Sequence, residues 1–180
     1  MPVIQTERLI LRPWREEDAE ELYRWASDPE VGPAAGWAPH ESVADSLNIL
    51  HTILMKPDTW ALCLKGTDAP IGSIGAFPCS AAMAQQQPEI GYWLAQPYWG
   101  QGLMPEAVRA LIDLLFRRGA REVWCAHAVQ NRKSRRVIEK CGFTFRCEED
   151  WTSALGDTRR SRYYSIDKPE VRRQSTDPQI

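Results

Sequence analysis

No stretch of 18 apolar residues occurs in the chain, so no membrane-spanning helix is expected. Histidine is scarce, with only His40, His51 and His127, which leaves little material for histidine-based metal chemistry. Cysteine is thin and scattered: Cys63, Cys79, Cys125, Cys141 and Cys147 are odd in number and form no C-x-x-C pair. A disulfide framework and a zinc site are therefore not expected, and a reducing cytoplasm suits these thiols. Charge of one sign is lacking too: 22 basic against 24 acidic side chains leave −2, unlike the basic balance of domains that coat nucleic acid. Met1-Pro2-Val3-Ile4 runs directly into charged sequence, without the apolar core of a secretory leader.

What is present is ordinary globular material. The 180 residues, 43% hydrophobic and 26% charged, amount to one domain. A chain of this size buries roughly 70% of its unfolded surface, so it folds without a metal or a cross-link. The expected division is a single domain over residues 1–167 and a polar tail over 168–180. Eight tryptophans are unusual. Trp37 stands in a loop rich in Gly, Pro and Ala, where it could line a pocket.

Periodicity predicts a strand over 7–14, a helix over 15–27 and a second helix over about 42–55. Strands follow over 59–65, 71–78 and 88–95, then a helix from Gly102 to about Arg118. Residues 123–129 are apolar on both faces and read as an inner strand. A short helix over 131–141 and closing strands over 143–147 and 162–166 complete the order. Runs of strands with interspersed helices predict an α+β fold. Its expected sheet is twisted, mixed and mostly antiparallel, with about seven strands and about four flanking helices.

Three segments carry chemistry. Gly100-Gln101-Gly102 opens a helix, and Pro105 sits in its first turn. Glycines at a helix start let backbone N–H groups converge on an anion, so the turn could cradle a phosphate; it could equally be a plain tight turn. It is no P-loop, since no Lys-Ser/Thr follows, and Pro105 displaces the third glycine of a dinucleotide turn. In Asn131–Phe143, Asn131 is a good N-cap and Gly142 a good stop. Ser134 shares helical spacing with Val137, Ile138 and Cys141, so its hydroxyl either bonds back to its own helix or faces a cleft. Arg132, Lys133, Arg135 and Arg136 form a solvated face from which one or two could reach a phosphate. In Pro88–Ala95, alternation puts Glu89, Gly91 and Trp93 on one face and Ile90, Tyr92 and Leu94 on the other. Glu89 is then a carboxylate among large apolar groups, either a salt-bridged edge residue or a base with a raised pKa. His127 reads as a core histidine.

Taken in order, Thr6–Arg12, Glu17-Asp18-Ala19, Asp28–Val31, Glu89–Leu94, Tyr98–Gly102 with Glu106-Ala107, and Asn131…Ser134…Glu139-Lys140…Gly142-Phe143 resemble the GNAT superfamily of acetyl-CoA-dependent N-acetyltransferases. The resemblance is to its ribosomal-protein (RimJ/RimL-like) branch and covers about residues 6–167. It implies the GNAT fold with a splayed central strand pair, opened by a bulge in the strand containing Glu89. It implies acetyl-CoA as co-substrate and no metal. Glu89 would be the base, directly or through water, the Leu94 N–H the oxyanion donor, and Ser134 the acid in the place where many relatives use a tyrosine. Contacts to acetyl-CoA would come from Leu94, from Trp99, Gly100, Gln101, Gly102, Leu103 and Met104, and from Asn131, Lys133 and Ser134. Trp37 and Glu89 would meet the acceptor, a protein N-terminal α-amine or a small-molecule amine. One departure is that Pro97 stands where the family pattern has Gln or Arg. Nucleic-acid and membrane partners are not expected; the protein would be a monomer or homodimer. The alternative on the same fold is a catalytically silent acyl-CoA-binding sensor.

Overall fold

The computed structural model describes residues 1–169, so most of the expected tail, residues 170–180, lies outside the described residues. Eight strands occur among them: β1 (Ile4–Gln5), β2 (Leu9–Pro13), β3 (Thr59–Leu64), β4 (Pro70–Pro78), β5 (Pro88–Leu94), β6 (Glu122–Ala128), β7 (Thr144–Thr152) and β8 (Thr158–Asp167). They form one sheet in the order β1-β2-β3-β4-β5-β6-β8-β7. Only the β5–β6 pair is parallel. The helices are α1 (Ala19–Ala26), α2 (Gly32–Ala35), α3 (Val43–Ile49), α4 (Leu103–Arg117) and α5 (Arg132–Lys140).

Several elements differ from their sequence expectation. The predicted 15–27 helix begins as a separate 3-10 turn at Glu16–Asp18, and the 42–55 helix passes into a π-helical turn at Leu50–Leu54. The 31–40 loop contains the single turn α2, and two residues before β2 add the short β1. The two closing strands are longer than expected. Glu148, Glu149 and Asp150 read as loop, but Arg162 Nε donates to Glu148 at 2.6 Å and Arg160 Nη1 to Asp150 at 3.2 Å across the β7–β8 ladder. Opposite charges facing one another let the ladder continue through a polar run.

β3 shows how the layers are built. Trp60 and Leu62 point to one face of the sheet, into a core shared with Leu9, Leu11, Ile90, α4 and Ile138 of α5. Ala61 and Cys63 point to the other, into a core with Trp14, Leu22 and Ala26 of α1. A strand covered on both faces is apolar at successive positions, as here. On α4 the buried stripe includes Val108 and Ile112 beside Leu103, Ala107, Leu111 and Leu115. A third cluster, Cys79, Ala81, Ala84, Trp124 and Tyr163, closes the far end of the sheet beside Glu89. The sheet is therefore covered on both faces at β3, and it opens where β5 meets β6.

Candidate active site

β5 and β6 pair only at Glu89–Trp124 and Ile90–Cys125; beyond these two rungs they separate. The Ala95 N–H donates to Ile71 O at 2.9 Å, and residues along a strand alternate in direction. The N–H groups of Tyr92 and Leu94 therefore point away from β4 and into the gap. The expected splay is present. The expected bulge is not: β4 and β5 stay in continuous register from Gly72–Leu94 to Pro78–Pro88. Divergence from β6 alone opens the gap. The resulting cleft measures about 1280 Å³.

The glycine turn forms one end of it. Gly100 and Gly102 have φ of 76° and 78°, a region costly for side chains with a Cβ, and Gly102 is the N-cap of α4. A Cβ at Gly100 would meet nothing within 4 Å, so backbone N–H groups can be approached closely from outside. Pro97 lies in a 3-10 turn, Gln96–Tyr98, and its carbonyl accepts from Gln101 Nε2 at 2.9 Å. Gln101 thus turns its side chain back to its own loop, and it does not line the cleft. Trp99 Nε1 donates to Leu94 O at 2.7 Å, tying the turn to the open edge of β5. A clamp behind the turn was not expected. Arg8 Nη1 donates to Gln101 O at 2.9 Å, while Arg8 Nε and N donate to Glu106 at 2.7 and 2.8 Å. Both residues fall within motifs already visible in the sequence, but nothing there shows that β2 reaches α4.

Glu89 is 8% exposed and lines the cleft. Its Oε2 is buried without a hydrogen-bond partner among the described residues. Burial raises its pKa above the ordinary carboxyl value; the Cys79 thiol and the Ser80 amide oppose the shift without cancelling it. The edge-salt-bridge reading of Glu89 does not hold. Ser134 lies on the cleft side of α5, where its Oγ is 2.8 Å from Tyr92 Oη. Tyr92 Oη also donates to Ser134 O at 3.3 Å. Burial holds the Tyr92 hydroxyl protonated well beyond its usual range. This hydroxyl pair joins residues 42 apart in sequence, and no local pattern in either segment shows that they meet.

Asn131 Oδ1 accepts from Ser134 N at 3.0 Å as the α5 cap, and Nδ2 donates to Ala34 O at 3.0 Å. Both ends of its amide are committed to the protein. Lys133 Nζ sits 3.6 Å above the Trp99 ring. Leu94, Leu103 and Met104 line the cleft. Trp37 does not: it packs edge-on against Trp93, 6.0 Å between centroids, and against His40 at 5.3 Å. Trp93, on which it packs, does line the cleft. His127 is a core histidine with Nδ1 2.8 Å from Ala128 O and Nε2 3.3 Å from Tyr164 Oη, and burial lowers its pKa. Among the described residues no group of three or more His, Cys, Asp or Glu is placed to hold a metal ion. No helix there is long and apolar enough to cross a membrane.

Comparison with known proteins agrees with this geometry. Residues 8–144 match the acetyltransferase (GNAT) domain family. The chain is 34% identical over 124 residues to the uncharacterized N-acetyltransferase p20 of Bacillus licheniformis, covering 64% of this chain and 67% of that protein. An acetyltransferase of the GNAT family from Bacillus anthracis superposes with a TM-score of 0.79 at 21% identity, over 92% of this chain and 98% of that one. The microcin C7 self-immunity acetyltransferase MccE, solved with acetyl-CoA and AMP, gives 0.73 at 22% identity over 90% and 93%.

Proposed function

Since the chain belongs to the GNAT acetyltransferase family, we propose that it transfers the acetyl group of acetyl-CoA to a primary amine, within the RimJ/RimL-like branch. The observation that carries this reading is the conjunction of an open β5 edge, a glycine turn at its end and a buried carboxylate with one oxygen unpartnered between the sheet halves. A pantetheine arm carries amides that can pair with an exposed strand edge like an added strand. The Tyr92 N–H and the Gly100–Gly102 turn offer the partners for that arm and for a pyrophosphate. That MccE, which shares this fold, was solved with acetyl-CoA supports the same ligand here. All five cysteines are free thiols, which fits a cytoplasmic setting.

The chemistry divides among this chain's groups as follows. Glu89, kept short of hydrogen bonds, accepts the proton of the incoming ammonium, directly or through water. The nitrogen then attacks the thioester carbon as its lone pair becomes available. The Leu94 N–H donates to the carbonyl oxygen as negative charge collects there. The C–S bond breaks, and Ser134 Oγ–H supplies the proton that the sulfur needs. The acylated nitrogen gives its second proton back to Ser134 Oγ, directly or through water, so that amide and thiol leave neutral; Tyr92 Oη, 2.8 Å from Ser134 Oγ, holds the serine in position and stays protonated.

A thiol-release assay with acetyl-CoA against a panel of amines and N-terminal peptides tests the reading. Release that depends on the amine is the expected result. Acetyl-CoA binding by calorimetry with no release from any amine would leave a silent acyl-CoA sensor instead.

A further inference from the structure

The face of β4 and β5 carrying Glu89 has an unusual composition. Phe77 stands opposite Glu89, Gly75 opposite Gly91 and Ser73 opposite Trp93. A Cβ on Gly91 would fall 2.7 Å from the Phe77 ring, so the ring lies across the bare backbone of β5 at that point. Its outer side stays open to the cleft, and Phe77 is 48% exposed. Trp93 beside it is held by stacking on Trp14 at 6.4 Å. Trp151 also lines the cleft, its ring against Gly36 after α2. An exposed aromatic floor next to an unpartnered carboxylate oxygen is costly unless something covers it.

The polar groups around this floor are largely committed. Asp157 is paired with Arg159 at 2.6 Å, and Arg159 donates to Pro33 O at 2.7 Å. Arg160 is paired with Glu148 and Asp150. The Ala34 carbonyl accepts from Asn131. Pro33 and Pro78, which line the same space, have no N–H. An extended peptide backbone would find few partners here. A second ammonium would meet the guanidinium groups of Arg159 and Arg160, against the rim carboxylate of Glu30 and an Asp157 already paired with Arg159.

We propose that the acceptor is a small aromatic amine with a single positive charge, its ring on Phe77 and Trp93 and its nitrogen at Glu89. This rests on the acetyl-transfer reading above. Ring stacking supplies area, and Glu89 Oε2 supplies the one charged contact. The reaction is that already described: the amine nitrogen gains the acetyl carbon, and its proton passes to Glu89.

The test uses the full chain with 2-phenylethylamine, tryptamine, spermidine and a peptide with a free N-terminus, followed by thiol release. The aromatic amines should exceed spermidine and the peptide in kcat/KM by about tenfold or more. Phe77→Ala should raise KM for 2-phenylethylamine about tenfold and leave KM for acetyl-CoA unchanged. Phe77→Leu, which keeps bulk without a ring, should fall between. Spermidine or the peptide as the best acceptor, or an unchanged KM in both variants, overturns the proposal while leaving acetyl transfer intact. Failure of acetyl-CoA to bind in calorimetry overturns both.

Discussion

Glu89 carries an energetic cost that its neighbours do not remove. Its raised pKa means that the folded chain binds its proton more tightly than the unfolded chain does. Its contribution to stability is therefore full below the ordinary glutamate pKa and is lost as pH rises through the folded value. Glu89→Gln should raise Tm near neutrality, with the gain vanishing in acid; thermal melts between pH 4 and pH 8 would show the crossover. The same variant should lose turnover. Wild-type kcat/KM should climb with pH and level off above a pKa higher than that of a free carboxyl, and the variant should lose that limb while binding acetyl-CoA normally. Equal activity with an unchanged profile would make Glu89 only an electrostatic guide. Ser134→Ala should cut kcat about 10²-fold with little change in acetyl-CoA affinity. Tyr92→Phe should have a smaller effect on kcat, about tenfold, because water can stand in for the hydroxyl beside Ser134. Normal turnover in both would reduce the pair to packing.

At the scale of elements, the glycine turn belongs to the bend leading into β2 as much as to α4, because Arg8 reaches across to the Gln101 carbonyl and Glu106. Gly102→Asp should weaken acetyl-CoA binding in calorimetry far more than Gly102→Ala. Both carry the strain of a Cβ at φ 78°, of order 1 kcal/mol, but only aspartate brings a charge toward a pyrophosphate. Equal losses would remove the turn from the ligand site. Much of this layer was legible in the sequence: the strand–turn–helix at Gly100, the alternation that sorts Glu89 from Tyr92, and the Asn131 cap all follow from local geometry. What was hidden depends on partners distant in sequence. The acidic run of β7 becomes a strand only opposite Arg160 and Arg162, Tyr92 gains its place only when α5 packs over it, and Trp37 sits behind Trp93 because Gly32 leaves room for its ring.

On the scale of the molecule, two rungs join a block of β1–β5 to a block of β6–β8, with Glu89 in the first and Ser134 in the second. Hydrogen bonds from Asn131 to Ala34, from Arg159 to Pro33 and between Tyr92 and Ser134 cross the open part of the gap. Amide exchange at Tyr92 and Leu94 should be fast in the free protein and slow with acetyl-CoA bound. Protection already complete without ligand would mean that the β5 edge is closed. The strand order has one more consequence, for synthesis. β8 follows β7 in the chain yet lies between it and β6. While the chain leaves the ribosome, β7 emerges with no neighbour to pair with, and the outer edge of β6 waits beside it. Both stay unpaired until β8 arrives to fill the space between them, so the second wall of the cleft is assembled last and from the inside.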